Sequence, residues 1–127
     1  MSNALEVSPE QFVEDFFTSF TEAALSASSE DAGAVVDRYY TPDIVLLSDG
    51  IALDRAKLIA HLRPIRKNLE SFRFEVHEAL RSEQRIAARY TIHAELRSGQ
   101  AIDTEVYMFG VLDTDGRIRR TTQLSRS

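Results

Sequence analysis

The stretch IAARYTIHAEL, residues 86–96, decides the fold together with IDTEVYMFGVL at 102–112 and IRRTTQL at 118–124. In the first two segments the even-numbered positions are mostly apolar, and the third segment has Ile118 and Leu124 at such positions; the odd-numbered positions are largely polar or charged, with a few aromatic residues. Alternation with a period of two is typical of a strand with one buried face, because successive side chains point to opposite faces. We therefore expect an antiparallel sheet that buries its even-numbered residues.

The pairing of these strands is predicted by matching apolar positions across each turn. A three-residue turn at 98–100, with Gly99 in the left-handed conformation, places Leu96 opposite Ile102. A longer turn at 113–117 places Leu112 opposite Ile118. The first register keeps apolar residues opposite apolar residues almost throughout.

The same matching brings two charged residues onto the buried face. One cross-strand row is predicted to contain Glu78, Ala88, Gly110 and Arg120. Because Ala88 and Gly110 are small, Glu78 and Arg120 would reach toward each other or toward a ligand. The alternative is that a bulge near Arg119 turns Arg120 outward and that Glu78 lies in solvent, since a buried unpaired charge is costly.

Capping signals predict three helices in the first half of the chain. Ser8-Pro9-Glu10-Gln11 is a capping box for a helix that runs to about Leu25. A second, short helix ends near Tyr40, and Asp54 caps a third. A strand that ends in the hairpin signal Asp49-Gly50 lies between the second and third helices.

Composition narrows the class of protein. The chain has 127 residues, enough for one domain spanning 1–127, with 43% hydrophobic and 28% charged residues. Its net charge of −5 argues against nucleic-acid binding. It has no cysteine, no apolar run of membrane-spanning length and no signal peptide, so we expect a cytoplasmic protein. The three histidines lie on different elements, which argues against a metal site, and no motif indicates a cofactor.

Several segments carry a resemblance that covers nearly the whole chain. They are Tyr40-Thr41-Pro42-Asp43, Asp54-Arg55, Arg89-Tyr90-Thr91, and Val111-Leu112 through Gly116-Arg117-Ile118. With the order of elements, they resemble the nuclear-transport-factor-2-like superfamily, especially its SnoaL-like and ketosteroid-isomerase-like branches. The resemblance implies an α+β fold in which a cone-shaped, curved, mixed but mostly antiparallel sheet wraps around three helices from the N-terminal half and encloses a pocket. It also implies a dimer through the outer face of the sheet.

The catalytic residues implied by the resemblance are missing. The oxyanion acid of ketosteroid isomerase falls on Met108, its base on Ser48, and its tyrosine near Phe17 or Phe20. A SnoaL-like cyclase implies an acid on the last strand, where residues 122–125 read Thr, Gln, Leu and Ser. Since Met and Phe neither transfer a proton nor donate to an oxyanion, that mechanism is not inherited as it stands.

Three hypotheses for function follow. The first is a binding domain for a small apolar molecule with one polar or anionic group, which would contact Tyr40, Glu78, Tyr90, Met108 and Arg120. The second is an isomerase, cyclase or dehydratase acting on a small hydrophobic carbonyl compound. There Glu78 would be the base, and Arg120 or Tyr90 would stabilise an enolate. The third is an association module with its pocket filled by side chains.

A cluster of aromatic and polar residues occupies the odd-numbered, outer positions of the sheet. Its members are Arg89, Thr91, Tyr107, Phe109 and Val111. Aromatic residues and arginine are enriched at the centres of protein interfaces. The sequence therefore predicts a homodimer through this face.

Overall fold

The computed structural model describes residues 7–127, apart from the side chain of Ser29. The helices are α1 (Pro9–Ser26), α2 (Ala32–Tyr39) and α3 (Arg55–Asn68), with a 3-10 turn at Ser29–Asp31 before α2. The strands are β1 (Tyr40–Ser48), β2 (Ile51–Leu53), β3 (Leu69–Ser82), β4 (Arg85–Leu96), β5 (Ala101–Leu112) and β6 (Ile118–Arg126). The α+β class and the three helices are as predicted.

Six strands form one mixed sheet in the order β2-β1-β6-β5-β4-β3. Only β1 and β6 pair in parallel, and every other neighbouring pair is antiparallel. The helices pack against one side, which we call the helix-covered face, and we call the other side the open face. Ile86, Tyr90, Val106, Met108 and Leu112 are buried on the helix-covered face. The prediction that even-numbered residues of β4 and β5 are buried is therefore confirmed.

The predicted capping residues begin the helices. Ser8 Oγ accepts a hydrogen bond from the backbone N–H of Gln11 at 3.0 Å, and Asp54 Oδ1 accepts one from Lys57 at 3.0 Å. Pro64 lies inside α3, and the helix continues beyond it to Asn68. Within residues 7–127, no helix combines the length and the apolar character needed to cross a bilayer.

The turn between β4 and β5 lies one residue earlier than predicted. The Leu96 N–H donates to the Gln100 carbonyl at 2.8 Å, and Gly99 has a φ of 96°. Ala94 consequently faces Ile102, which the sequence had paired with Leu96. Because the partners shift by two residues, every side chain stays on its predicted face.

An extra residue in β3 overturns the predicted position of Glu78. The pairing with β4 shifts between Val76 and Glu78, which leaves His77 as the inserted residue of a bulge. Ala79 is therefore buried where Glu78 was expected, and Glu78 lies on the open face opposite Arg89.

A second inserted residue, in β6, overturns the predicted position of Arg120. Leu112 pairs with Ile118 as predicted, but Val111 then pairs with Arg120, so Arg119 is the inserted residue. Thr121, only 2% exposed, takes the buried position expected for Arg120. The predicted row joining Glu78 to Arg120 on the buried face is therefore wrong, since both charged residues lie on the open face. The alternative is confirmed: a bulge at Arg119 turns Arg120 outward, and the Glu78 side chain is 69% exposed.

The bulge in β3 can be tested by placing a carboxylate at each of two consecutive positions that follow it, since these point to opposite faces of the sheet. We expect Ala79→Asp to lower the free energy of unfolding by roughly 3 kcal/mol or more, because Ala79 is buried and a charge there has no partner. In the monomer, Leu80→Asp should change it by no more than about 0.5 kcal/mol, because Leu80 is 76% exposed in the single chain. Urea unfolding of both variants measures these changes. A larger loss of stability in Leu80→Asp than in Ala79→Asp would support the register without the bulge.

Candidate functional site

Two tyrosines predicted to contact a ligand lie under α1 in an aromatic cluster. The rings of Phe16 and Phe20 meet Tyr40 edge-on, with centroids 5.9 and 5.3 Å away. The ring of Phe17 lies 5.2 Å from that of Tyr90. These phenylalanines come from one face of α1 because they are spaced three and four residues apart. Tyr40 and Tyr90 are 4% and 3% exposed, so both tyrosines are closed to solvent, while the three phenylalanines are half-buried.

Both phenols are held in their neutral form. Burial raises the pKa of Tyr40 well above its usual value. Burial also raises the pKa of Tyr90, and the neighbouring Tyr40 adds to the effect. The two side chains are thus close enough to influence each other. At any ordinary pH each can donate one hydrogen bond and accept another.

A buried hydroxyl without a partner lies on the same face. Thr121 Oγ1 forms no hydrogen bond with any described residue. Thr121 pairs with Gly110, where an added Cβ would lie 3.1 Å from Met108 Cε and 3.2 Å from Ile86 Cγ2. Met108, the third predicted ligand residue of this face, is 2% exposed. Because an unpartnered buried polar group is destabilising, the Thr121 hydroxyl is a candidate contact for a polar group of a ligand.

The helix-covered face offers no group for proton transfer. Among residues 7–127, no Asp, Glu, His or Lys side chain is buried, and Arg66 on α3 is half-buried with its Nη1 enclosed. Ser48, at the position of the isomerase base, accepts a hydrogen bond from Gln123 Nε2 at 3.4 Å. The neighbouring Asp49 accepts two hydrogen bonds from Ser125, from the backbone N at 2.8 Å and from Oγ at 2.6 Å. These bonds hold the pKa of Asp49 below its usual value, which makes it a poor base.

Glu78, the predicted base, is engaged on the open face. Its Oε2 accepts a hydrogen bond from Arg89 Nε at 3.0 Å, and its side chain is 69% exposed. Arg89 Nη1 also pairs with Glu105 at 3.1 Å. The burial on which the catalytic role of Glu78 depended is therefore absent, and its proposed contact with Arg120 through the buried face is also wrong.

The open face carries an apolar surface, which we call the open-face patch. Its residues are Leu80, Tyr107, Phe109, Val111 and Leu124. Phe109 is 73% exposed and Leu80 76% exposed. Such exposure of large apolar side chains is typical of binding surfaces.

The five residues predicted for the dimer interface differ in their exposure and in their hydrogen-bond partners. Tyr107 and Phe109 are exposed and Val111 is half-buried, all on the open face. Arg89 is occupied by its two carboxylate partners, and Thr91 Oγ1 lies 2.7 Å from His77 Nε2. The interface itself stays a prediction, now centred on the two exposed aromatic residues.

Two adjoining cavities on the open face form what we call the groove. One has a volume of about 390 Å³ and is bordered by Arg85 and Arg120, and the other measures about 270 Å³ and is bordered by Glu78 and Arg89. Leu80, Ala87 and Phe109 border both cavities. Neither Tyr40 nor Tyr90 borders the groove, so the residues predicted for one pocket are divided between the two faces.

A charged cluster occupies the other end of the open face. His93 Nε2 lies 2.8 Å from Glu75 Oε1, and His93 Nδ1 lies 2.8 Å from Asp103 Oδ1. Both ring nitrogens can donate only when the imidazole is protonated, so the hydrogen bond to Glu75 and then that to Asp103 raise the pKa of His93. Within the part of the chain that the structure describes, no three His, Asp or Glu residues are grouped to hold a metal ion.

Comparison with known families agrees with this architecture. The sequence profile of the SnoaL-like domain matches residues 13–121, which is most of the chain. This chain belongs to the SnoaL-like domain family. No curated protein matches the sequence significantly.

Solved structures share the fold of this SnoaL-like domain at low sequence identity. IdmH from Streptomyces antibioticus, a proposed polyketide cyclase, is 16% identical over 87% of this chain and 89% of its own, with a TM-score of 0.64. A proposed isomerase from Rhodopseudomonas palustris is 11% identical over 93% and 91%, with a TM-score of 0.71. A nuclear-transport-factor-2-like protein of unknown function from Exiguobacterium sp. 255-15 is 11% identical over 91% and 98%, with a TM-score of 0.69. The predicted superfamily is confirmed, and the specific role is unassigned.

The His93 cluster predicts a pH dependence of stability. A histidine whose folded pKa lies above its unfolded value of 6.5 stabilises the fold fully below that value, and the contribution is lost as pH rises through the folded pKa. The Tm of the wild type should therefore fall between pH 6 and pH 9, and His93→Gln should flatten this slope. Calorimetry at several pH values measures it. His61→Gln is the control that should keep the wild-type slope, and an unchanged slope in His93→Gln would contradict the assignment.

Proposed function

We propose that this SnoaL-like domain, taken as one unit over residues 1–127, binds a small apolar molecule with one neutral polar group on its helix-covered face. The observation that carries the proposal is the set of uncharged hydrogen-bonding groups within an otherwise apolar interior. They are the Tyr40 and Tyr90 phenols and the unpartnered Thr121 hydroxyl. A few polar groups in an apolar surrounding are typical of sites for small molecules.

Entry of a ligand requires movement of α1. The Phe17 ring lies 5.2 Å from Tyr90, and Phe74 lies 6.0 Å from the same ring. A planar or compact apolar molecule that displaced Phe17 would keep the stacking against Tyr90 and gain a hydrogen bond from its hydroxyl. The ligand would thereby replace aromatic contacts that the empty protein makes with its own helix.

Binding is better supported than catalysis. The isomerase, cyclase or dehydratase hypothesis depended on a buried Glu78, and Glu78 is exposed and ion-paired with Arg89. Buried phenols could stabilise an oxyanion, but no described carboxylate or imidazole is buried beside them to remove the proton first. Met108 adds only apolar contact. The proposal is therefore a binding domain without acid–base chemistry.

The role of Tyr90 can be tested with prodan, a neutral fluorescent naphthyl ketone. We expect prodan to bind the wild type and Tyr90→Phe to weaken binding by about two- to tenfold, because one neutral hydrogen bond is lost. Fluorescence titration gives both dissociation constants. Tyr39→Phe is the control, since Tyr39 packs on Phe16 and Phe20 from the α2 side and should bind prodan as the wild type does. Equal affinities for the wild type, Tyr90→Phe and Tyr40→Phe would reject the proposal.

A homodimer through the open-face patch is the second proposal. It rests on the exposure of Leu80, Phe109 and Leu124, at 76%, 73% and 63%. These side chains lie in adjacent rows of one sheet face, since Leu80 and Phe109 both flank Ala87 and Tyr107 flanks Leu124. Burial of this surface by a second copy would remove apolar area from water at about 25 cal/mol per Å².

A charge in the middle of the open-face patch should prevent association. We expect sedimentation equilibrium at micromolar concentration to give twice 14.3 kDa for the wild type and 14.3 kDa for Phe109→Asp. Ile51→Asp is the matched control, because Ile51 is 64% exposed but pairs with Ser48 in the register of the other face. A wild-type mass of one chain would rule out the dimer.

A further inference from the structure

The strand β3 lies at one end of the sheet, and its outer backbone edge faces away from the other strands. In the order β2-β1-β6-β5-β4-β3 it pairs only with β4, and residues 7–127 supply no strand beyond it. With 14 residues, β3 is the longest strand of the described chain. An edge strand presents a row of unpaired N–H and C=O groups, to which a further strand can add.

A cleft with a volume of about 390 Å³ lies between β3 and α1, and we call it the edge cleft. Five consecutive residues of β3, 70–74, line one side. Because consecutive residues of a strand point to opposite faces, a cleft that touches all five follows the backbone edge of β3. The other side is lined by Glu14, Thr18, Glu22 and Leu25, which form one stripe along α1. Residues 70–74 extend about 13 Å and residues 14–25 about 17 Å, so strand and helix border the cleft over similar lengths.

The edge cleft is negatively charged. Glu14 and Glu22 are exposed, and neither carboxylate forms an ion pair with a residue of the described chain. Glu70 lies 3.3 Å from Arg97, and both of these side chains are more than half exposed. Among the described residues that line the cleft, Arg73 is the only cation. Three carboxylates and one guanidinium favour a cationic occupant by charge complementarity.

Two aromatic residues of β3 provide apolar contacts beside the edge. Phe72 and Phe74 point to the helix-covered face and pair with Ala94 and Ile92 of β4. Both rings are half-buried, and their centroids lie 5.8 Å apart. A strand added to β3 would therefore place alternate side chains next to these rings and toward α1.

The spacing of the two α1 glutamates matches that of an extended chain. Glu14 and Glu22 are eight residues apart, which is about 12 Å along the helix axis. Residues i and i+4 of a strand lie about 13 Å apart and point to the same face. Two lysines or arginines four positions apart can thus each reach one glutamate, and the residue halfway between them lies level with Thr18.

A second copy of the chain does not complement the edge cleft. Pairing of β3 with β3 of another copy would bring Glu14, Glu22 and Glu70 toward the same three residues of that copy, and like charges facing each other are destabilising. A dimer through the open-face patch leaves the edge cleft accessible, because no residue of the patch borders it.

We propose that the edge cleft binds an extended, basic segment of another protein as a seventh strand beside β3. Backbone hydrogen bonds to residues 70–74 hold the segment. Its central apolar side chain packs on Phe72 and Phe74, and two cationic side chains pair with Glu14 and Glu22. The site is separate from the Tyr90 site and from the open-face patch, so it depends on neither of those proposals.

NMR titration of the isotope-labelled protein with the end-blocked peptide Thr-Lys-Thr-Val-Thr-Lys-Thr tests the site. The wild type should bind with a dissociation constant below about 1 mM and show shifted backbone amide resonances at residues 70–74. The double variant Glu14→Gln, Glu22→Gln should bind about three- to tenfold more weakly, because two exposed ion pairs are lost. The double variant Glu10→Gln, Glu30→Gln is the matched control, since it removes the same charge from exposed positions outside the cleft and should bind as the wild type does.

Methylation of the peptide backbone separates strand addition from a purely ionic contact. Alternate N–H groups of an added strand point toward β3. Methylation of only the even-numbered or only the odd-numbered peptide nitrogens should therefore abolish binding in one peptide and preserve it in the other.

Each of three results would overturn the proposal. They are the same result for both methylated peptides, equal affinity of the wild type and the Glu14→Gln, Glu22→Gln variant, and no amide shift at about 5 mM peptide. Shifts of the same amides that grow with protein concentration, without any peptide, would assign the edge to a second copy and would overturn it as well.

Discussion

Burial of the helix-covered face beneath α1 is the constraint on which the rest of the structure depends. An uninterrupted alternation would bring Glu78 and Arg120 to that face, where each charge would lose water without a close partner. One inserted residue in β3 and one in β6 place Ala79 and Thr121 there instead. The cost of burying charge thus exceeds the cost of two irregular strand pairings.

Fold class, helices and the faces of β4 and β5 could be predicted because their signals are periodic and local. The predicted pairing of β4 with β5 differs from the observed pairing by two residues, since Leu96 and Ala94 are both acceptable partners for Ile102. The bulges left a weaker signal: His77-Glu78 and Arg119-Arg120 are pairs of consecutive polar residues. Such a pair interrupts the alternation once, and every later side chain of that strand then points to the opposite face.

Residues of the candidate site could be predicted only where the even or odd position along a strand decides which face a side chain lies on. Tyr90 and Met108 were placed on the correct face by parity, whereas Glu78 and Arg120 were not. The unpartnered hydroxyl of Thr121 could not be found from sequence, because a missing partner is a property of the packed structure. The pairing of Arg85 with Arg120 across Val111 has the same origin, since it exists only in the register with the bulge.

The division of polar groups between the faces decides which ligand each face can accept. The helix-covered face offers the neutral hydroxyl groups of Tyr90 and Thr121, and no carboxylate or imidazole of residues 7–127 is buried there. On the open face Arg85 and Arg120 are exposed, so their charges stay in water at little cost. The ligand proposed for the face under α1 therefore carries a neutral carbonyl or hydroxyl group, because Tyr90 can bind such a group without burying a charge.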